Sequence, residues 1–153
     1  MIFVIIALFI CVGDLAIKHV IEHKRSFSQK SELLDGKVVI EKSHNAGVFL
    51  NALDGKPDIV SAISGIATGI MIGIFALVLP RKRQYLMKLA FALCTGGAAG
   101  NFLDRFQRGY VVDYLNFPKI KKIRNIDFNI SDLFIFAGSI LLFFICILKK
   151  EKE

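Results

Sequence analysis

The chain has 153 residues, of which 54% are hydrophobic, and its mean hydropathy is +0.56. This composition is typical of membrane proteins and excludes an ordinary soluble globular domain. The formal net charge is +7, but the basic residues flank apolar stretches, so nucleic-acid binding is not indicated.

Four apolar stretches are long enough to cross a membrane, which takes roughly 20 residues. They cover about residues 2–21, 59–79, 85–103 and 133–148. Because these spans use about half of the chain, the sequence predicts a single integral membrane domain over residues 1–153. The predicted fold class is an all-α membrane protein with four transmembrane helices.

The first span carries two ionisable residues, Asp14 and Lys18, four residues apart. The order of acid before base favours an ion pair along a helix. A charge at membrane depth needs a partner because its desolvation is costly. Two interpretations stay open: the pair only orients the first span, or it also supports a polar site.

The segment after the first span begins polar and becomes rich in β-branched residues at 37–41. Residues 48–50 are also apolar and follow a turn-like stretch, HNAG, at 44–47. This pattern predicts a small extracellular β element on the membrane surface.

Small residues recur in the second and third spans. Gly65, Gly69 and Gly73 are spaced four apart, and GGAAG occupies 96–100. Small residues at this spacing let another helix approach closely. We therefore expect both stretches to pack against neighbouring helices.

The distribution of basic residues predicts the topology. The loop between the second and third spans contains Arg81, Lys82, Arg83 and Lys88 and no acid, and the tail adds Lys149, Lys150 and Lys152. By the positive-inside rule, this loop and both termini are cytoplasmic, and 22–58 and 104–132 lie outside. Lys24 and Arg25, after the first span, argue the other way.

This topology gathers polar side chains near the outer leaflet. They are Asp14, Lys18, Asn45, Asn101, Asp104, Arg105, Asp113, Asn129 and Asp132. Ionisable residues at membrane depth indicate a functional site.

Asp113 and Asp132 are the chemically most informative members of this group. Two carboxyl groups within hydrogen-bond reach share one proton. One can then act as base on a water molecule while the other, protonated, polarises a peptide carbonyl. We expect no metal and no cofactor, since Cys11, Cys94 and Cys146 lack metal-ligand spacing. The pair indicates an aspartyl protease that works within the bilayer.

Five blocks of the chain give a more specific indication. They are DLAIK at 14–18, NAG at 45–47, GGAAGNFLDR at 96–105, VVDY at 111–114 and FNISD at 128–132. In their order and spacing the chain resembles the bacterial lipoprotein signal peptidases, also called signal peptidase II.

The resemblance implies a role for each matched position. Asp113 and Asp132 would form the catalytic dyad. The residues that line the site or hold substrate would be Asn45, Gly47, Asn101, Arg105 and Asn129. Those that support the site would be Asp14, Lys18 and Asp104.

The resemblance also implies a reaction. Such enzymes remove the signal peptide of a prolipoprotein by cutting just before a cysteine that carries a diacylglyceryl group. The expected partners are therefore diacylglyceryl-prolipoproteins and membrane lipid, and no nucleic acid. We expect a monomer in the bacterial cytoplasmic membrane, with its active site near the outer leaflet.

The chain departs from the family pattern at a few positions. Ile17 replaces the usual Ser or Thr, Val48 is followed directly by Phe49, and Ser131 and Leu133 flank the second aspartate where Ala and often Ser are usual. None of them removes a dyad residue, so we expect them to affect substrate preference more than chemistry.

Three other functions compete with this interpretation. Residues 19–23 match the inverted zinc motif H-x-x-E-H, although no third ligand is evident. A small four-span transporter would need an ionisable residue near the bilayer midplane, where Asp14 is the only candidate. A structural membrane subunit would leave the pairing of Asp113 with Asp132 unexplained.

Overall fold

The polar ends of the helices define this fold as much as their apolar centres do. The computed structural model describes residues 1–47 and 56–150, leaving out the side chains of 149 and 150. Four helices in this part of the chain are long and apolar enough to cross a membrane. They are α1 (Ile2–Lys24), α2 (Pro57–Val78), α3 (Tyr85–Arg108) and α4 (Ile130–Lys150). The predicted fold class of four membrane helices with a small β element is confirmed.

The helices extend beyond five of the eight predicted span ends because polar residues continue or cap them. Helix α3 runs to Arg108 and stops at Gly109, whose φ of 79° is the left-handed conformation that glycine adopts readily. Pro57 begins α2, a position where its missing N–H costs nothing. Asn101, Asp104 and Arg105 therefore lie on a helix and not in a loop.

Helix α3 packs against each of the other three helices. A Cβ atom at Gly96 would lie 2.6 Å from the Ala7 carbonyl oxygen of α1, and one at Gly97 would lie 2.5 Å from that of Ser131 in α4. The prediction of close packing at 96–100 is thus confirmed.

The corresponding prediction for α2 is only partly right. Gly65 faces Phe102 of α3, where a Cβ atom would lie 2.8 Å from the ring. Gly69 and Gly73 have no heavy atom within 4 Å of such a Cβ. The rest of the glycine stripe therefore faces open space, and α2 contacts α3 further along through other residues, such as Thr68, whose hydroxyl donates to the Ala98 carbonyl oxygen at 3.4 Å.

One four-stranded antiparallel sheet covers the end of the bundle that holds the aspartates. Its order is β1 (Ser31–Leu33), β2 (Val38–Asn45), β3 (Val111–Asn116) and β4 (Asp127–Phe128). The interpretation of His44 and Asn45 as part of a turn was wrong, because both end strand β2 and pair with β3. An extra residue in β2 between Ile40 and Ser43 forms a bulge, which re-aims the end of the strand toward Asp113.

Candidate active site

Asp113 and Asp132 reach the same buried polar region from different elements. Asp113 lies on β3 and is 2% exposed, whereas Asp132 lies in the first turn of α4. Asn129 joins them: its side-chain Nδ2 donates to Asp113 Oδ1 at 2.7 Å, and its backbone N–H donates to Asp132 Oδ2 at 3.1 Å. One asparagine therefore fixes both carboxyl groups.

The start of α4 explains why Asp132 points inward. Asn129 precedes the helix, and its Oδ1 accepts the backbone N–H of Asp132 at 2.9 Å. The Asp132 carboxylate accepts the Asn129 N–H in return. This reciprocal arrangement is a capping box, which satisfies two backbone donors of the first turn. The same bonds that begin the helix therefore orient the carboxyl group.

The second oxygen of each carboxyl group also accepts a hydrogen bond from an amide. Asn45 Nδ2 donates to Asp113 Oδ2 at 3.1 Å, and Asn101 Nδ2 donates to Asp132 Oδ1 at 2.8 Å. Within the described residues, no lysine or arginine forms an ion pair with either carboxyl group. The pair is held by neutral donors.

Burial and proximity set the protonation of this pair. Burial first, and then the nearby Asp132 carboxylate, raise the pKa of Asp113 from 3.8 to about 7, against the hydrogen bonds from Asn129 and Asn45 that lower it. A carboxyl group with this pKa is about half protonated at neutral pH. The pair can then offer a proton donor and a proton acceptor at the same time.

A second buried cluster lies beside the aspartate pair and is organised differently. Lys18 Nζ lies 2.6 Å from Asp14 Oδ2 and 3.2 Å from Asp104 Oδ2, and all three side chains are fully buried. The predicted pair of Asp14 with Lys18 is present, with Asp104 as a further partner. Lys18 also donates to Asn101 Oδ1 at 2.8 Å, which links this cluster to Asp132.

Further residues donate hydrogen bonds to Asp14 and Asp104, the two acids that share Lys18. Tyr114 and Ser131 donate their hydroxyl protons to Asp14 at 3.0 and 2.7 Å. The Val112 N–H donates to Asp104 at 3.2 Å, and Arg108 Nε lies 3.3 Å from the same carboxylate. The cluster therefore connects α1, α3, β3 and α4.

Sequence reasoning assigned no role to Tyr114, Ser131 or Arg108. Tyr114 and Ser131 lie within the matched blocks, so the signal for them was adjacency to an aspartate. Ser131, noted as a departure from the family pattern, contacts Asp14, so we now expect it to affect this cluster more than substrate preference. Two other departures, Ile17 and Leu133, line an apolar cavity of about 540 Å³ between α1 and α4. Val48 and Phe49 lie outside the described residues.

Arg105 lies at the edge of the site. Its Nη2 donates to the Gly47 carbonyl oxygen at 3.1 Å, and its Nη1 donates to the Asn101 carbonyl oxygen at 3.3 Å. Arg105 thereby ties the end of β2 to α3. All ten residues singled out from the sequence are thus joined by direct contacts into one network.

Two cavities border the network from different sides. The larger, of about 730 Å³, lies between α2 and α3 and is lined by Pro57, Gly65, Phe102 and Arg105, among others. The smaller, of about 230 Å³, lies under the sheet and includes Asp113 itself. Asp113 can therefore be reached from the sheet side, and Arg105 from the helix side.

The H-x-x-E-H stretch takes part in a separate set of contacts. Glu22 Oε2 lies 2.8 Å from His44 Nε2 of β2, and the ring of His44 stacks on Tyr110. Across residues 1–47 and 56–150, no three His, Cys, Asp or Glu side chains are grouped so that they could hold a metal ion. Glu22 thus connects α1 to the sheet.

Comparisons with known proteins agree with one another. A family model described as signal peptidase (SPase) II matches residues 6–148. A lipoprotein signal peptidase of Bacillus subtilis is 32% identical over 157 residues, which cover 100% of this chain and 99% of that protein. One from Fusobacterium nucleatum subsp. nucleatum is 31% identical over 142 residues, covering 93% and 84%. A bacterial membrane enzyme solved by the in meso method superimposes with a TM-score of 0.82 at 27% identity, covering 97% of this chain and 88% of that one.

Proposed function

The chain belongs to the signal peptidase II family, the lipoprotein signal peptidases, and on that premise we propose that it is an aspartyl peptidase whose dyad is Asp113 and Asp132. It cuts the signal peptide from diacylglyceryl-modified prolipoproteins just before the lipidated cysteine. The observation that carries this proposal is the hydrogen bonding of both carboxyl groups by Asn129.

The dyad works by sharing one proton. The ionised carboxylate takes a proton from a water molecule while the water oxygen attacks the scissile carbonyl carbon. The protonated carboxyl group donates to the carbonyl oxygen, which becomes negative as the tetrahedral intermediate forms. When the C–N bond breaks, the carboxyl group that took the proton from water gives it to the cysteine nitrogen. The tetrahedral intermediate collapses to the new C-terminal carboxyl group of the signal peptide, and the proton donated to the carbonyl oxygen returns to the dyad. The titration belongs to the pair and not to either residue alone.

The surrounding amides and Arg105 prepare this chemistry. Asn45 and Asn101 hold the outer oxygens of the two carboxyl groups without neutralising them, so their negative charge stays available for base catalysis. Arg105 lines the larger cavity, where its guanidinium can hold substrate backbone carbonyls. Substrate held by its lipid chains and signal helix in the bilayer arrives already positioned, which accounts for much of catalysis.

The proposed location follows from the charges of the loops. The end of the bundle with the dyad faces the outer leaflet, and both termini are cytoplasmic. A cysteine-accessibility scan, made after Cys11, Cys94 and Cys146 are replaced, should label residues 30–37 from outside and residues 81–84 from inside. The reverse pattern would place the dyad at the cytoplasmic face and would reject the processing of exported lipoproteins.

The activity itself is tested with the purified chain in detergent. We expect cleavage of a diacylglyceryl-modified prolipoprotein before its cysteine, identified by mass spectrometry, and no cleavage of the unmodified protein. The monomeric chain should keep this activity after exhaustive chelation, and His19→Ala with His23→Ala should leave it largely intact. Loss on chelation that zinc restores would reject an Asp-only mechanism and would favour the H-x-x-E-H stretch.

A further inference from the structure

Two exposed segments meet at one end of the sheet, where turns join β1 to β2 and β3 to β4. The first is the β1–β2 hairpin tip, where Leu33 and Leu34 are 47% and 72% exposed. The second is the link between β3 and β4, where Ile120 is 51% exposed. The two segments touch, because Lys119 donates to the Asp35 carbonyl oxygen. We call the side chains of Leu33, Leu34, Lys119, Ile120, Lys121, Lys122 and Arg124 the edge surface.

The hairpin tip holds its leucines outward at some conformational cost. Leu34 and Asp35 have φ values of 53° and 55°, in the left-handed region that residues other than glycine seldom adopt. A turn exposed to water would ordinarily use glycine or asparagine at such positions. An apolar environment outside the protein would cover Leu34, which is 72% exposed in this conformation, together with its neighbour Leu33.

The β3–β4 link separates apolar from basic side chains. Three successive turns place Phe117, Ile120, Ile123 and Ile126 at intervals of three, each joined to the next by a backbone hydrogen bond. Between them lie Lys119, Lys121, Lys122 and Arg124, all exposed, and the stretch 117–126 contains no acid. An apolar and strongly basic segment is typical of contacts with an anionic membrane surface.

An aromatic ladder connects this link to the part of the protein that faces lipid. The Phe117 ring lies 6.0 Å from that of Phe128, which lies 6.1 Å from that of Phe136 on α4. Phe136 is half exposed on a membrane-spanning helix. The edge surface is therefore continuous with the hydrocarbon-facing surface of the bundle, at the depth where α4 begins.

We propose that the edge surface docks onto anionic phospholipid headgroups of the leaflet that meets this end of the bundle. The exposed leucines and Ile120 enter the interface, and the four cations contact the phosphates. Glu32, Asp35 and Lys37 also lie at the hairpin tip, residues 32–37, so the tip and the link together carry five basic and two acidic side chains. This excess of positive charge matches an anionic surface. The docking holds the sheet, and with it Asp113 on β3, at a fixed depth relative to the surface of the leaflet.

The chain contains no tryptophan, so a single introduced tryptophan reports on the edge surface alone. We expect Leu34→Trp, reconstituted in vesicles with phosphatidylglycerol, to show blue-shifted emission and quenching by brominated lipid tails. Vesicles of phosphatidylcholine should give a smaller shift, and about 1 M salt should weaken the anionic effect by screening.

Two sets of neutralised variants make the test specific. In the Leu34→Trp background, Lys119→Gln with Lys121→Gln, Lys122→Gln and Arg124→Gln should reduce quenching several-fold in anionic vesicles. The matched control, Arg81→Gln with Lys82→Gln and Arg83→Gln at the opposite end of the bundle, should leave it unchanged. Emission typical of water with no quenching in anionic vesicles would overturn the proposal. So would quenching or a blue shift that appears only when a prolipoprotein is added, since the surface would then bind protein and not lipid.

Discussion

Two pairs of carboxyl groups, all buried except that of the partly exposed Asp132, lie side by side in this molecule and differ in what surrounds them. Asp14 and Asp104 share the ammonium group of Lys18, whereas Asp113 and Asp132 are joined by the neutral amides of Asn129 and its neighbours. An ammonium group within ion-pair distance keeps a carboxylate ionised and inert as a proton carrier. Neutral donors leave the second pair free to hold a proton. Burial alone therefore does not make an acid reactive, because the charge of its partners decides its role.

We call Asp113 and Asp132 the amide-held pair, and Asp14 and Asp104 the lysine-held pair. Removing one member of the amide-held pair should have the largest effect on the rate of cleavage. We expect Asp113→Asn and Asp132→Asn each to lower prolipoprotein cleavage by at least about 10³-fold, because the dyad needs one base and one acid. Initial rates with equal amounts of membrane-inserted protein measure this. Asp35→Asn, an exposed acid on the hairpin, is the matched control and should keep the wild-type rate. A dyad variant that retains more than a small fraction of that rate would show that its aspartate is not catalytic.

Removing the cation of the lysine-held pair should lower the stability of the protein. Lys18→Met leaves Asp14 and Asp104 buried without their shared cation, so we expect a loss of about 3–5 kcal/mol in free energy of unfolding. Adding Asp14→Asn should restore part of that loss, because Asp104 keeps the nearby guanidinium of Arg108.

Thermal unfolding in detergent compares Lys18→Met, Asp14→Asn and the double variant. We expect the double variant to be more stable than the less stable of the two single variants. Losses that simply add would mean that the two residues do not stabilise each other.

Variants of Arg105 should distinguish a role in holding substrate from a role in stabilising the fold. If it holds substrate backbone, Arg105→Ala lowers cleavage about tenfold or more with little change in Tm, and Arg105→Lys rescues it poorly because an ammonium lacks the planar fork. Arg108→Ala is the matched control: Arg108 contacts Asp104, so its loss should change Tm more than rate. Full activity of Arg105→Ala would reject the substrate-holding role.

The smallest effect is expected at Ser131. Ser131→Ala removes one buried hydrogen bond to Asp14 and should cost about 1–2 kcal/mol of stability. The cleavage rate should stay close to that of the wild type, because the Ser131 hydroxyl donates to Asp14 and not to a carboxyl group of the dyad. Parallel Tm and rate measurements check this, and a rate loss larger than tenfold with unchanged Tm would assign Ser131 to the reaction instead.

The sequence predicted the helices and most of the site because their signals are strong and local. Apolar stretches of about 20 residues identify membrane helices, and polar residues at one membrane depth are expensive enough to stand out. The single-domain organisation over residues 1–153 stays a prediction. The ends of the helices were less predictable, because single capping residues set them. Asn129 caps α4 with its side chain, and Gly109 ends α3 with its left-handed backbone.

Other features depend on tertiary contacts that no local pattern records. Strands β1 and β4 have three and two residues, too few for a recognisable alternation. The role of Tyr114 needs α1 to lie beside β3, a contact between residues 100 positions apart. Asp104 joins Lys18 across 86 positions only because α1 packs on α3 at Gly96.

The central claim, that Asp113 and Asp132 share a proton, can be measured by an infrared titration of the carboxyl groups. With a pKa of about 7, Asp113 binds in the folded state a proton that the unfolded chain releases near pH 4. The folded state should therefore lose stability as pH rises from about 4 to about 7. Cleavage should fall as pH rises through about 7, where the shared proton is lost. Wild-type protein should show a protonated-carboxyl band that disappears near pH 7, is missing in Asp113→Asn and persists in Asp14→Asn. A band that persists in Asp113→Asn but is missing in Asp14→Asn would contradict the account, because the proton would then belong to the lysine-held pair.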